Sequence, residues 1–166
     1  MSDGKLFQLR IWERPKDAVQ WKVPSLEVDK VVRDTFAAYD VVMMFADPYR
    51  WQDYLDTWAG EWPKRIVEFP TNIEQRMDKA IERFTTTFAS AEGITHDGSR
   101  VLTEHVKNTV TVKGSRKRAR PGDDATIASH YLKLAKKAAG VLIDAAVAAV
   151  LARAARAHAI EHGLWD

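Results

Sequence analysis

Residues 41–51 read VVMMFADPYRW. The apolar run Val41 to Ala46 has the length of a buried strand, and Asp47 ends it. Pro48 follows, and without a backbone N–H it stops the hydrogen-bond ladder. A carboxylate at that point lies where parallel sheets place their ligand sites, outside the carboxyl ends of the strands. An Asp-Pro turn that merely ends a strand is the alternative reading of the same two residues.

Working outward, Ser25 reads as a helix N-cap with Glu27 and Asp29 in the first turn. Leu26, Val28, Val31, Val32 and Phe36 supply an apolar face to about Tyr39. After the strand, a helix is expected over 49–59, then a short strand over 65–69 (RIVEF) closed by Pro70. Thr71 or Asn72 caps a long helix over 73–91, with Ile73, Met77, Ala80, Ile81, Phe84 and Phe88 on one stripe. Helix, strand, helix, strand, helix in that order implies an α/β fold with a largely parallel sheet covered by helices.

At the N-terminal side, residues 5–13 (KLFQLRIWE) alternate as a strand, and the turn pair Asp3-Gly4 stands before them. Such a turn joins two strands, so the chain is expected to begin within a hairpin. Trp21 to Val23 reads as a further short strand ended by Pro24. Beyond Gly93, strand or turn pieces over 94–98 and 109–113 flank a short helix over 100–108. The basic run 113–120 (KGSRKRAR) then reads as a hairpin tip or flexible loop, followed by Pro121-Gly122. A strand over 126–134 leads to a final helix over 142–162. No internal repeat is present.

The chain has 166 residues, enough for one domain with a core, and an ordinary balance of 46% hydrophobic and 29% charged residues. It contains no cysteine, which excludes disulfides and thiolate metal sites. No secretory signal is read at the N-terminus, and the longest apolar segment, 138–152, is interrupted by Asp144 and too short to span a bilayer. The net charge is only +2, so any attraction for nucleic acid must come from local clustering.

Asp144 stands between Val141-Leu142-Ile143 and the run AAVAAV. A carboxylate is expensive to bury there unpaired. It either caps the helix start, where negative charge suits the dipole, or presents itself toward the sheet edge as a ligand for a hard divalent cation shared with Asp47. The five histidines show no zinc spacing, and His158 with His162 reads as a solvated helix end. His96-Asp97 reads as a structural turn, the alternative being a turn that neighbours the acidic site. Lys113, Arg116, Lys117, Arg118 and Arg120 form a solvated loop that can also neutralise DNA phosphates without reading sequence. There is no GxxxxGK[ST] or GxSxG motif, so a hydrolase built here would use metal-activated water.

The order of segments resembles the C-terminal nuclease domain of tailed-phage terminase large subunits, especially those of actinobacterial phages and prophages. The resemblance is carried by FQLRIWERP (7–15), WKVPSLEVDKVV (21–32), ADPYRWQDYLDTWA (46–59), VEFPTNIEQRMDKAIERF (67–84), THDGSRVLTEHVKNTV (95–110) and LIDAAVAAVLARAARAHAI (142–160). It implies an RNase H-like mixed sheet carrying acidic residues for two Mg2+ or Mn2+ ions, cutting concatemeric double-stranded DNA during genome packaging in the host cytoplasm. Asp47 matches the acid after the central parallel strand and Asp144 the acid opening the last helix. His96, Asp97, His105 and Asn108 match recurring positions without an assigned role.

Two family parts are absent from this sequence: an N-terminal ATPase domain, and a central strand carrying a further aspartate just before the Asp3-Gly4 turn. That strand would lie between those of 5–13 and 41–46, so backbone groups on two interior edges are expected to lack partners. A fragment, a prophage remnant or one half of a split terminase would each look this way, and each implies weak or no cleavage by the isolated chain. The implied partners are DNA, the missing ATPase portion, the small terminase subunit and the portal, and no membrane. The alternative is a non-catalytic module using the basic loop to hold DNA or dock on a packaging partner. A metal-dependent recombinase or resolvase on the same fold is a third reading.

Overall fold

The computed structural model describes residues 4–90, 94–119 and 126–164. Its elements run α1 (Ser25–Ala38), β1 (Met44–Ala46), α2 (Gln52–Glu61), β2 (Ile66–Glu68), α3 (Glu74–Ala89), α4 (Arg100–Lys107), β3 (Thr109–Ala119), β4 (Thr126–Lys136) and α5 (Asp144–Glu161). The class is mixed α/β. The expected single sheet is replaced, among the described residues, by two two-stranded sheets. β1 and β2 are parallel, with Met44, Phe45 and Ala46 opposite Ile66, Val67 and Glu68. β3 and β4 form an eleven-residue antiparallel ribbon from Thr109↔Lys136 to Ala119↔Thr126.

The two-residue period of β1 divides the core. Phe45 packs against Phe69, Met77, Ile81, Val150 and Leu151, the cluster that α3 and α5 form with Leu132 and Leu134 of β4. Met44 and Ala46 pack on the opposite side with Val32, Leu55, Trp58 and Ile66, the cluster of α1 and α2. Helices therefore cover both faces of the parallel pair, which is the burial that parallel strands require. α5 takes part through small side chains: Ala146, Ala149, Ala155 and Ala159 are all buried, so its backbone approaches its neighbours closely.

The long helix α3 follows its expected stripe at Met77, Ala80 and Ile81, which are buried. Ile73 and Phe88, at the two ends of that stripe, are exposed. Neither expected cap forms. Ser25 is the first residue of α1, behind Pro24, and its hydroxyl accepts from Tyr54 at 3.1 Å. The cap position of α3 falls at Ile73, past both Thr71 and Asn72, and the Thr71 hydroxyl donates to Asp47 instead.

Three other expectations are corrected. Residues 5–13 make a single parallel bridge, Leu6 with His96, rather than a full strand, and Trp21 to Val23 form none. Leu6 donates to Thr95 O at 2.8 Å and accepts from Asp97 N at 3.0 Å, so one edge of this extended segment is anchored. Among the described residues, the backbone N–H groups of Phe7, Leu9 and Ile11 meet no backbone acceptor. Finally, of the two readings of the basic run, the flexible loop does not hold up to Ala119, because β3 carries residues 113–119 in register with β4 as one arm of an antiparallel pair, in line with the hairpin reading. Arg120 lies outside the described residues.

β1 is likewise paired on one side only. Met44 N–H bonds Arg65 O at 2.7 Å and Ala46 O accepts from Phe69 N at 2.7 Å, both toward β2. Alternation turns the backbone of Phe45 to the other edge, where no described residue pairs with it. Among the described residues, then, Phe45 on one side of β1 and alternate residues of the extended segment 7–11 have no backbone partner.

Candidate functional site

Asp47 leaves β1 at its carboxyl end, beside the end of β2. Tyr49 N–H donates to its Oδ1 at 3.1 Å, closing a turn in which Trp51 N bonds Pro48 O at 2.9 Å. Thr71, just past β2, donates its hydroxyl to the other oxygen, Oδ2. The turn is tight enough to drive Arg50 to φ 66°, a left-handed conformation uncommon for a side chain of that size, and its guanidinium lies 5.1 Å from the Tyr49 ring. Asp47, Tyr49, Arg50, Gln52, Thr71 and Asn72 line an open polar cleft of about 620 Å³. Gln52 reaches across its edge to Glu68 at 2.5 Å and Asp56 at 3.0 Å, tying α2 to β2.

Asp144 is the first residue of α5 and is exposed rather than buried, so the burial penalty expected for it does not arise. It is not the cap of α5 either. The helix behind Ile143 has no cap from its own flank, and His105 Nδ1 accepts the Ala145 N–H at 3.0 Å instead. Among the described residues the Asp144 carboxylate takes part in no hydrogen bond or ion pair. It opens onto an apolar groove of about 440 Å³ between residues 6–12 and the Ala145, Ala148 and Ala152 stripe of α5.

The two acids stand on different elements, Asp47 after β1 and Asp144 at the start of α5. α5 packs on β1, and Thr71 beside Asp47 and Ile143 beside Asp144 line a common cavity of about 410 Å³. They share neither a cleft nor a hydrogen-bond partner. Both are hard oxygen donors suited to Mg2+ or Mn2+. Among the described residues, however, no three histidine, aspartate or glutamate side chains converge, so the residues present fall short of a cage for one divalent ion.

The remaining candidates have structural roles. Asp97 accepts from Gln8 N at 3.0 Å and Ser99 N at 2.9 Å, and these backbone donors hold its carboxyl below the usual range. With Ser99, which donates to Gln8 Oε1 at 2.7 Å, it clips the N-terminal segment to the start of α4. His96 Nδ1 accepts from Gly98 N at 3.0 Å within the same turn. His158 is not a solvated end: its ring packs 5.6 Å from Phe45, and burial, reinforced by His162, pushes its imidazole below the ordinary value. Lys113 is exposed on β3 beside Asp78 and His130, and Arg116, Lys117 and Arg118 follow it along the strand.

Sequence reasoning misses the role of Thr71, which reads as a cap, and the capping role of His105. Nothing local to His105 signals a bond to a residue forty positions away.

No family model and no solved structure matches this chain. Two phage proteins do. "Gene 13 protein" of Mycobacterium phage L5 and "Gene 13 protein" of Mycobacterium phage D29 are each 34% identical to it over 166 aligned residues. Each match takes in 94% of this chain and 26% of the relative, so the chain spans about a quarter of the length of the curated relatives it matches. No helix among the described residues is long and apolar enough to cross a membrane.

Proposed function

We propose that this chain is part of the nuclease domain of a tailed-phage terminase large subunit, acting on concatemeric double-stranded DNA in the host cytoplasm with Mg2+ or Mn2+. The observation that carries this reading is the pair Asp47 and Asp144. One acid leaves a parallel strand at its carboxyl end with both oxygens oriented by donors, and the other leads the packed helix α5 with its carboxylate free. The likeness to two mycobacteriophage proteins supports a phage setting. The RNase H-like fold belongs to the same proposal and is supported by parallel strands covered on both faces by helices.

Two carboxylates do not complete a metal cage; the unpaired side of β1 and the extended, singly bridged segment after Leu6 are what support a further strand entering between them. On this reading the remaining ligand arrives with a strand from outside these 166 residues, as part of the larger protein that also carries the ATPase. The small terminase subunit and the portal are the further partners it implies.

The test is cleavage of linear and supercoiled DNA in Mg2+ or Mn2+ by the chain extended through its in-frame upstream coding sequence. Cutting abolished by Asp47→Ala and by Asp144→Ala is the expected result. Cutting that ignores both substitutions overturns the assignment. The competing reading, a DNA-holding module without chemistry, predicts salt-sensitive binding through the β3–β4 ribbon and no cleavage by any length of chain.

A further inference from the structure

We propose that Arg50 holds a phosphate group of the DNA backbone in the cleft beside Asp47. This takes its ligand class from the nuclease reading and requires no metal ion. Arg50 is held at φ 66°, a backbone conformation that glycine adopts freely and a long side chain does not. Its side chain contributes little to the fold. It is exposed, and among the described residues it takes part in no hydrogen bond or ion pair. Its guanidinium lies 5.1 Å from the centre of the Tyr49 ring, which is itself 69% exposed. Packing therefore gives no reason for an arginine at this position, and strain of this kind gathers where a side chain serves a ligand.

The surroundings say which ligand. Among the described residues, Arg50 is the one cationic side chain lining the cleft of about 620 Å³ at the carboxyl ends of β1 and β2. Tyr49 and Asn72 line it as well and add a neutral hydroxyl and amide as donors. Asp47, the acid of the same cleft, already has one oxygen on the Tyr49 amide and the other on the Thr71 hydroxyl. It forms no ion pair with Arg50, so the cation is left to an anion from outside. A guanidinium presents two parallel N–H donors that match two oxygens of a phosphate, and the Tyr49 ring beside it limits its freedom. Lys64 supplies an internal contrast: it too is held at positive φ, 68°, and exposed, but it does not line the cleft.

The experiment titrates the chain, in EDTA at low salt, with a short DNA duplex and separately with inorganic phosphate. The backbone amides of Tyr49 and Asn72 are followed by NMR. The duplex is expected to shift both. Arg50→Gly is expected to raise the duplex concentration at half-maximal shift at least about threefold, as loss of one charge-assisted contact does. Because glycine relieves the backbone, the same variant should keep its Tm or raise it by up to about 4 °C. Lys64→Gly is expected to give the same Tm effect and leave the duplex midpoint where it was. Arg50→Asn, neutral and tolerant of positive φ, replaces the glycine variant if that chain fails to fold. An unmoved midpoint in the Arg50 variant overturns the proposal, as does an equal rise in Lys64→Gly. A rise accompanied by a lower Tm overturns it too, by making Arg50 a structural part of the turn. Amides that respond to phosphate and ignore the duplex overturn the assignment to nucleic acid. The nuclease reading fails separately, through cleavage that ignores Asp47→Ala.

Discussion

Thr71 donates its hydroxyl to Oδ2 of Asp47 across the ends of two adjacent parallel strands. The bond fixes one oxygen of the candidate ligand while the Tyr49 amide fixes the other. Thr71→Val keeps the shape and deletes the donor. Its effect on stability is expected to stay within about 1 kcal/mol, since both side chains keep access to water. In the extended chain it is expected to raise the Mn2+ needed for half-maximal cleavage about tenfold or more, the range seen when a group orienting a metal ligand is removed. A loss of thermal stability with an unchanged metal requirement would make Thr71 a turn-fixing residue only.

The second helical layer is held by an acid that the sequence assigns merely to a first turn. Asp29 Oδ1 accepts the indole N–H of the buried Trp58 at 2.7 Å, and its carboxylate also meets Arg33 at 2.9 Å. The Trp58 bond first, and Arg33 second, hold the Asp29 carboxyl below its ordinary 3.8, while Arg33 lowers Glu61 from 4.5. Groups depressed in the folded state contribute stability above their ordinary values and lose it as pH falls through the folded ones. Thermal stability is therefore expected to hold steady from neutrality to about pH 5 and to decline below about pH 4. Asp29→Ala is expected to cost about 1–3 kcal/mol by stranding the Trp58 N–H, and to flatten that decline. Chemical denaturation at pH 7 and pH 3.5 measures both.

How much of this is legible in the sequence follows from the range of each interaction. Local periodicity locates α3, α4, β2, β4 and α5 to within a few residues, because the 3.6-residue stripe and the Pro and Gly stops are carried by neighbours in sequence. The strand expected over 5–13 does not form beyond Leu6, since a strand is a pairing, and alternation in KLFQLRIWE says nothing about whether a partner is present. Ser25 and Thr71 read as caps but serve elsewhere for the same reason: Tyr54 and Asp47 claim their hydroxyls from 29 and 24 residues away. Asp144 does start the last helix but is not buried, because an apolar flank does not reveal that the face toward residues 6–12 lies open.

The basic run supports a separate prediction. Carried on β3 rather than on a loose loop, Arg116, Lys117 and Arg118 occupy consecutive positions of a two-stranded ribbon, an element that a DNA major groove can admit. Replacing the three with glutamine is expected to weaken DNA binding about equally for unrelated sequences. The slope of log affinity against log salt should fall by up to about 2.7, at roughly 0.9 for each phosphate no longer neutralised. Fluorescence anisotropy between about 50 and 300 mM salt, with two duplexes of different sequence, measures it. Binding that loses one duplex and keeps the other would mean base readout instead of backbone neutralisation.

The unpaired edge of β1 gives the last prediction. Met44 and Ala46 spend their backbone groups on β2, and Phe45, whose ring is packed between Phe69 and His158, has no described backbone partner on its other side. A three-residue parallel pair is far below the size at which a sheet is stable by itself. If the coding sequence upstream of Met1 continues in frame and supplies a strand to this edge, the Phe45 amide should gain at least about tenfold protection from exchange in the extended chain. Phe7, Leu9 and Ile11 should gain it as well if the strand lies between the two edges. Hydrogen exchange resolved by NMR distinguishes the cases. Protection confined to Phe45 places the added strand on β1 alone, and protection at neither edge removes the structural basis for completing the acidic site from outside this chain.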